Sequence, residues 1–328
     1  MKHWLQPGFW FALLIVLGLG LWPVFTREAS TREVGFTILL AMTMAVSLNI
    51  IMGYTGYVSF GHVVFYGLGG YVGMYLIGTW NASLPLAVLG GGAAAAILAF
   101  LLGKAILRLR GAYFALATIG VNEAMRTFIS NFKPFGGPTG IELQFSVYKP
   151  YGGATQALWL TYYAVVGIAA FAVIFSYYLK TSKFGLGLMA IREDEDAAEV
   201  LGVATPNIKT LAFVFSALLP GMLGVLFFFK NGNVEPGDAF RLHFSIESLV
   251  MIMLGGQGTL LGPIIGALGY QRLRGALLTN NVMIGALPLK DFQLVIAGLL
   301  MLLIILFIPA GLVGWLRQRF PRLRRILV

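Results

Sequence analysis

The chain has 328 residues, 58% of them hydrophobic and only 11% charged, with a mean hydropathy of +0.84. A water-soluble domain carries roughly 25% charged residues, so lipid must solvate much of this surface and a soluble enzyme is excluded. The formal charge of +10 comes from basic residues that stand at the ends of apolar runs, which is the pattern of a polytopic membrane protein with no nucleic-acid partner.

With no cysteine there are no disulfides, thiol chemistry or Cys-ligated metals, and His3, His62 and His243 lack metal-ligand spacing. The apolar run 9–25 follows Lys2 and has no small-x-small cleavage pattern after it, so it reads as a retained first span. Val34 to Gly103 contains no Asp, Glu, Lys or Arg and fits three crossings, at 34–52, 58–78 and 84–103. Runs at 112–130, 157–179, 210–229, 248–270 and 292–313 suit one crossing each. A tenth, 275–289, reaches only about 22 Å as a helix and either crosses or re-enters. The expected fold is all-α: one polytopic domain over residues 1–328, about ten transmembrane helices, with an internal repeat and broken helices.

Basic residues set the expected orientation. Lys104, Arg108 and Arg110, then Lys180, Lys183, Arg192 and Lys209, then Arg272 and Arg274, then the arginines from Arg317 to Arg325 all fall on one side if both termini are cytoplasmic. That requires an even number of spans. Residues 131–156 then face outward, and 180–209 form a cytoplasmic loop.

Glycine, with 42 copies, concentrates at 53–73 and 254–269. Inside membrane helices it permits either close packing or a break, and both readings stay open for any single glycine. Gly53 and Gly56 repeat the spacing of Gly255 and Gly258. Two Gly-interrupted segments in the two halves suggest an internal repeat flanking a solute path. The candidate path residues are Gly53, Thr55, Gly56, Ser59 and Gly61 with Gly255, Gly256, Gln257 and Gly258. Interrupted helices offer backbone N–H and C=O groups that receive a zwitterion without adding fixed charge.

Glu123 and Arg126 lie three apart within the 112–130 run and so share a helix face as an intramembrane ion pair. Three readings are open: a packing pair, a polar lining of the solute path, or a proton relay. His62 reads as a hydrogen-bonded packing residue or a substrate contact. In the 180–209 loop, Glu193, Asp194, Glu195, Asp196 and Glu199 precede a stop at Gly202, which predicts a short helix under the membrane. It reads either as a solvated loop helix or, since acids there oppose the local positive bias, as a docking surface for a partner protein.

The stretch Asp196-Ala197-Ala198-x3-Gly202 resembles the E-A-A-x3-G motif of bacterial ABC importer permeases, with Asp for Glu and without the downstream I-x-L-P. Together with "LNIIMGYTGYVSFGHVVFYGLGGYVG", "LRLRGAYFALATIGVNEAMR", "GGPTGI", "TSKFGLGLMAIREDEDAAEVLGV" and "SIESLVMIMLGGQGTLLGPIIGA", it resembles the LivM-type permease of branched-chain amino acid ABC transporters, from about residue 34 to 314. The resemblance implies a bacterial inner-membrane protein paired with a LivH-type permease. It further implies two ABC ATPase subunits docked on the cytoplasmic loops and a periplasmic substrate-binding protein that delivers the amino acid, with no cofactor in this chain. Arg192, Glu193, Glu195, Asp196, Ala197, Ala198 and Gly202 are the expected ATPase-coupling residues. No G-x-x-x-x-G-K-[ST] loop is present, so ATP hydrolysis is expected on the partners and the chain is not itself an enzyme. Alternatives are a urea or amide uptake permease, an ion-coupled secondary transporter using Glu123, and a membrane-embedded enzyme. The last lacks paired carboxylates, a His cluster or an activated nucleophile.

Overall fold

The computed structural model describes residues 7–26 and 28–279, and beyond them 283–284, 287–288, 295, 298–299, 302–303, 306–307 and 311–319. The helices are α1 (Pro7–Thr26), α2 (Ala29–Thr55), α3 (His62–Trp80), α4 (Leu84–Ile106), α5 (Ala112–Asn131), α6 (Ala154–Thr181), α7 (Lys183–Glu193), α8 (Glu195–Val200), α9 (Thr205–Asn231), α10 (Pro236–Ala239), α11 (His243–Gly255) and α12 (Leu261–Thr279). A further helix runs over Gly311–Arg319. Among the described residues, six helices are long and apolar enough to cross a membrane: α1, α2, α3, α4, α6 and α9.

α2 is the axis of the bundle, buried along almost its whole length. The outer helices show the reverse pattern. Leu14 and Leu21 of α1 and Leu89 and Ile97 of α4 face outward. Each would forgo about 1.5–3 kcal/mol of burial in water, and lipid removes that deficit. α3, α4 and α9 meet through glycine: a methyl at Gly91 would come 2.7 Å from the Gly69 carbonyl oxygen, and one at Gly221 would come 2.7 Å from that of Gly91. These glycines serve close helix approach.

The bundle has two distinguishable ends. At one, α1 runs into α2, Lys230 at the end of α9 pairs with Glu33 at 2.6 Å, and β1 (Ile141–Glu142) pairs antiparallel with β2 (Asn233–Val234). The other end carries α7 and α8, the 56–61 connection and the 107–111 connection. Gly311 lies there too, directly against Gly256.

Two expectations are corrected. The 248–270 run is not one crossing. It holds parts of α11 and α12, an antiparallel hairpin turned at 256–260, where Gly256 and Gly258 take φ of 129° and 74°. A carbonyl-to-backbone approach at Gly255–Gly262 and Gly266–Met251 holds the two helices together. Nor is 275–289 a short crossing: 275–279 completes α12, and β3 (Met283–Ile284) pairs with β4 (Leu287–Pro288) as a tight antiparallel ladder. As a result Arg272 and Arg274 sit away from α7 and α8. Arg272 stacks over Trp22 at the end of α1, at 5.5 Å, because α12 climbs back to that end. The 292–313 run and the arginine tail beyond 319 lie largely outside the described residues.

Candidate functional site

The predicted loop helix forms as two pieces. Ser182 caps α7 by accepting from the Gly185 N–H at 3.1 Å. Asp194 then breaks the chain and caps α8 by accepting from the Ala197 N–H at 3.0 Å. Glu195 and Asp196 in the first turn suit the positive end of the helix. Gly202 closes α8 with φ of 88°, and the Val203 N–H reaches back to the Ala198 carbonyl at 3.0 Å. Ala198 is buried, while Val200 and Leu201 stand 88% and 82% exposed, an apolar tip at the end of the helix.

A charged network ties α8 to the rest of the bundle. Lys209 of α9, only 3% exposed, donates to Glu195 at 2.6 Å, to the Tyr57 hydroxyl at 2.9 Å and to the Leu107 carbonyl at 2.9 Å. Tyr57 donates to Glu195 at 2.6 Å. Arg110 grips Asp196 through two hydrogen bonds of 3.0 and 2.7 Å. Burial pushes Glu195 up, but the hydrogen bonds from Lys209 and Tyr57 outweigh it and hold the carboxyl below its ordinary range. The Arg110 hydrogen bonds hold Asp196 below its range as well.

The two glycine clusters meet. Gly56, at φ of 80°, ends α2, and a non-helical 56–61 segment leads to α3. Asn49 of α2 spans the 256–260 turn: its amide donates to the Thr259 carbonyl and its oxygen accepts from the Gly258 N–H, both at 3.0 Å. Gln257 donates to the Met52 carbonyl at 2.8 Å. The segments come so close that a methyl on Gly53 would lie 2.8 Å from the Gly258 nitrogen. From α7, Arg192 donates to the Gly53 carbonyl at 2.7 Å. Of the remaining predicted positions, Ser59 is fully buried with its hydroxyl unpartnered, and Thr55 bonds its own helix at the Ile51 carbonyl. Gly61 packs against the Thr118 carbonyl, and Gly255 against α12.

Glu123 and Arg126 do pair, at 3.3 Å, but with 64% and 47% of their side chains exposed. They lie on the outward face of α5 and line no interior path of the single chain. His62 is fully buried with Nε2 against the Ser216 carbonyl at 3.1 Å.

A model of the family described as branched-chain amino acid transport system / permease component matches residues 33–305, which holds the glycine turns and the loop helices together. The chain belongs to this family. It is 29% identical to the high-affinity branched-chain amino acid transport system permease protein LivM of Escherichia coli strain K12, covering 93% of this chain and 75% of that one. It is 27% identical to BraD, the corresponding permease protein of Pseudomonas aeruginosa, over 83% of this chain and 90% of that one. To LivH of Escherichia coli strain K12 it is 23% identical, over 83% and 90%. No solved structure matches it significantly.

As a permease component of this ABC transporter family, the protein conducts solute and is not a catalyst. Sequence reasoning missed several groups of this permease. Asn49, the clamp between the turns, is an amide in an otherwise apolar run. Tyr57 and Lys209 lie 152 residues apart and had no visible link. Glu247, 3% exposed, meets His243 at 3.0 Å, the Tyr270 hydroxyl at 3.0 Å and Arg274 at 3.3 Å. His243-x3-Glu247 and Tyr270-x3-Arg274 are both one-turn spacings, which is the signal that was available. The expected span, begun at 248, left Glu247 just outside it.

Proposed function

We propose that this permease carries branched-chain amino acids across the bacterial inner membrane, driven by two ABC ATPase subunits that dock on α7 and α8. The observation that carries the reading is the continuity from loop to turn. α8 is fixed to Tyr57 through Glu195 and Lys209, α7 is fixed to Gly53 through Arg192, and Gly53 lies on Gly258. A partner pushing on the exposed Val200–Leu201 tip therefore displaces groups that hold the two glycine turns together. In that arrangement the docked turns form the closure on the coupling side. Their separation opens backbone N–H and C=O groups of 53–61 and 255–258 to a passing zwitterion.

The end bearing α7 and α8 is cytoplasmic in this reading, as are both termini, and a periplasmic binding protein delivers solute to the opposite end. A second permease of LivH type covers the outward face of α5. Charges such as Glu123 and Arg126 cost several kcal/mol in hydrocarbon unless protein or water faces them, and Gly120 on the same helix leaves open space for close approach. The relatives include both LivM and LivH, and a partner of the same fold presents a comparable face.

The test is reconstitution. In liposomes holding both permeases, the ATPases and the binding protein, leucine accumulates only with ATP, while this chain alone accumulates none under an ion gradient. Concentrative uptake by the chain alone would instead favour a secondary transporter, and ATP-driven uptake of urea but not leucine would move the substrate class.

A further inference from the structure

Resting on that reading, we infer that a cavity between α2, α9, α11 and α12 is a binding site for an aliphatic amino acid held by both of its charges. The cavity lies nearer the end opposite α7 and α8. Leu40, Ala41 and Met44 of α2 and Met251 of α11 form an apolar wall. Glu247 of α11 and Arg274 of α12 supply one carboxylate and one guanidinium to its lining. The volume of about 50 Å³ admits roughly three or four waters, and water's liquid volume of roughly 30 Å³ makes that about the size of a branched aliphatic group. A wider cleft of about 630 Å³, between the start of α2 and α12, shares Thr37, Gln271 and Arg274 with it and gives access.

Two features distinguish this from a structural ion pair. Tyr66 lines the cavity, and its hydroxyl is buried with no hydrogen-bond partner. Arg274 also keeps a buried Nε without a partner although its Nη1 reaches Glu247. Buried polar groups left open beside an apolar chamber are what a zwitterion with an aliphatic side chain would satisfy. The α-ammonium sits against Glu247, the α-carboxylate against Arg274, and the side chain lies along Ala41 and Met44. The site stands above the docked glycine turns: Met251 is one helical turn from Gly255, and Met44 is little more than one turn from Asn49.

The native chain has no cysteine, so a single thiol tests the site in the complete complex in proteoliposomes. Ala41→Cys and, independently, Met44→Cys are reacted with a small methanethiosulfonate reagent, and leucine uptake is followed in the same vesicles. Leucine at ten times its half-saturating concentration slows modification about tenfold, as occupancy requires. Isoamylamine and 4-methylpentanoate, each lacking one charge, protect far less at the same concentration. Glu247→Gln abolishes the protection by leucine while the unprotected rate is kept. If leucine is taken up but leaves both thiols reacting at the unprotected rate, or if the two singly charged analogues protect as well as leucine, the site is wrong and the transport reading stands. If the wild-type complex takes up no leucine, the transport reading itself has failed, and the site falls with it.

Discussion

Lys209→Met removes one charge from the coupling network and little volume, because methionine retains most of the lysine stem. Lys209 is 3% exposed, and its Nζ serves Glu195, Tyr57 and the Leu107 carbonyl. Breaking a buried, hydrogen-bonded ion pair costs about 3–5 kcal/mol. Arg110 remains 3.6 Å from Glu195, the Tyr57 hydroxyl still donates to it, and its side chain keeps 13% exposure. The loss therefore falls at the low end, about 3 kcal/mol. Glu195→Gln leaves the more deeply buried Lys209 with neutral acceptors alone and is destabilising by at least as much. The double variant recovers much of the sum, with a coupling energy of about 2 kcal/mol. Unfolding by SDS titration in mixed micelles, followed by helical circular dichroism, gives all four corners of the cycle. Additive single effects, or a Lys209→Met cost under about 1 kcal/mol, would refute the reasoning that this network binds α8 to the 56–61 segment.

The pH response follows from Glu195. Its native pKa is depressed, so the stability it contributes is present above the ordinary carboxylate value of about 4.3 and is lost as pH falls through the lower native value. Acid titration of wild type and Glu195→Gln should therefore coincide in shape from pH 8 to 5 and separate only below about pH 4. Gly53→Ala places a methyl 2.8 Å from the Gly258 nitrogen and into the Asn49 amide, so overpacking of about 1–3 kcal/mol and loss of uptake are expected, measured by the same titration and by leucine flux. Gly202→Val forces a β-branched residue to φ of 88° at an exposed site with open space around it. It should unravel the end of α8 and abolish ATP-driven uptake while the protein stays in the membrane at normal amounts. Reversing charge at Glu193 and Asp196 should do the same.

Much of the architecture is legible because lipid imposes a coarse rule: α3 and most of α2 and α4 lie in the stretch 34–103, which has no Asp, Glu, Lys or Arg and which helices spanning the membrane fill. The α8 motif is legible because an Asx cap, first-turn acids and a left-handed glycine are local signals. The 248–270 hairpin was not, since hydropathy sums a window and cannot tell one crossing from two helices folded on Gly256 and Gly258. Charge bias misplaced Arg272 and Arg274 for the same reason: one hidden turn reverses the direction of everything after it. The convergence of Arg192, Gly53 and Gly258 joins residues up to 205 positions apart, and no local pattern encodes it.

If α7 and α8 control the contact between the two glycine turns, as proposed, the effect of ATP must reach that contact through them. Gln257→Cys, the single thiol in the complete complex, reports on that contact directly through its rate of reaction with a small water-soluble reagent. ATP should change this rate, and Arg192→Met combined with Lys209→Met should remove the change while ATP hydrolysis continues. A rate indifferent to ATP in the wild-type background, or an ATP response that survives loss of both cations, would contradict the proposed control.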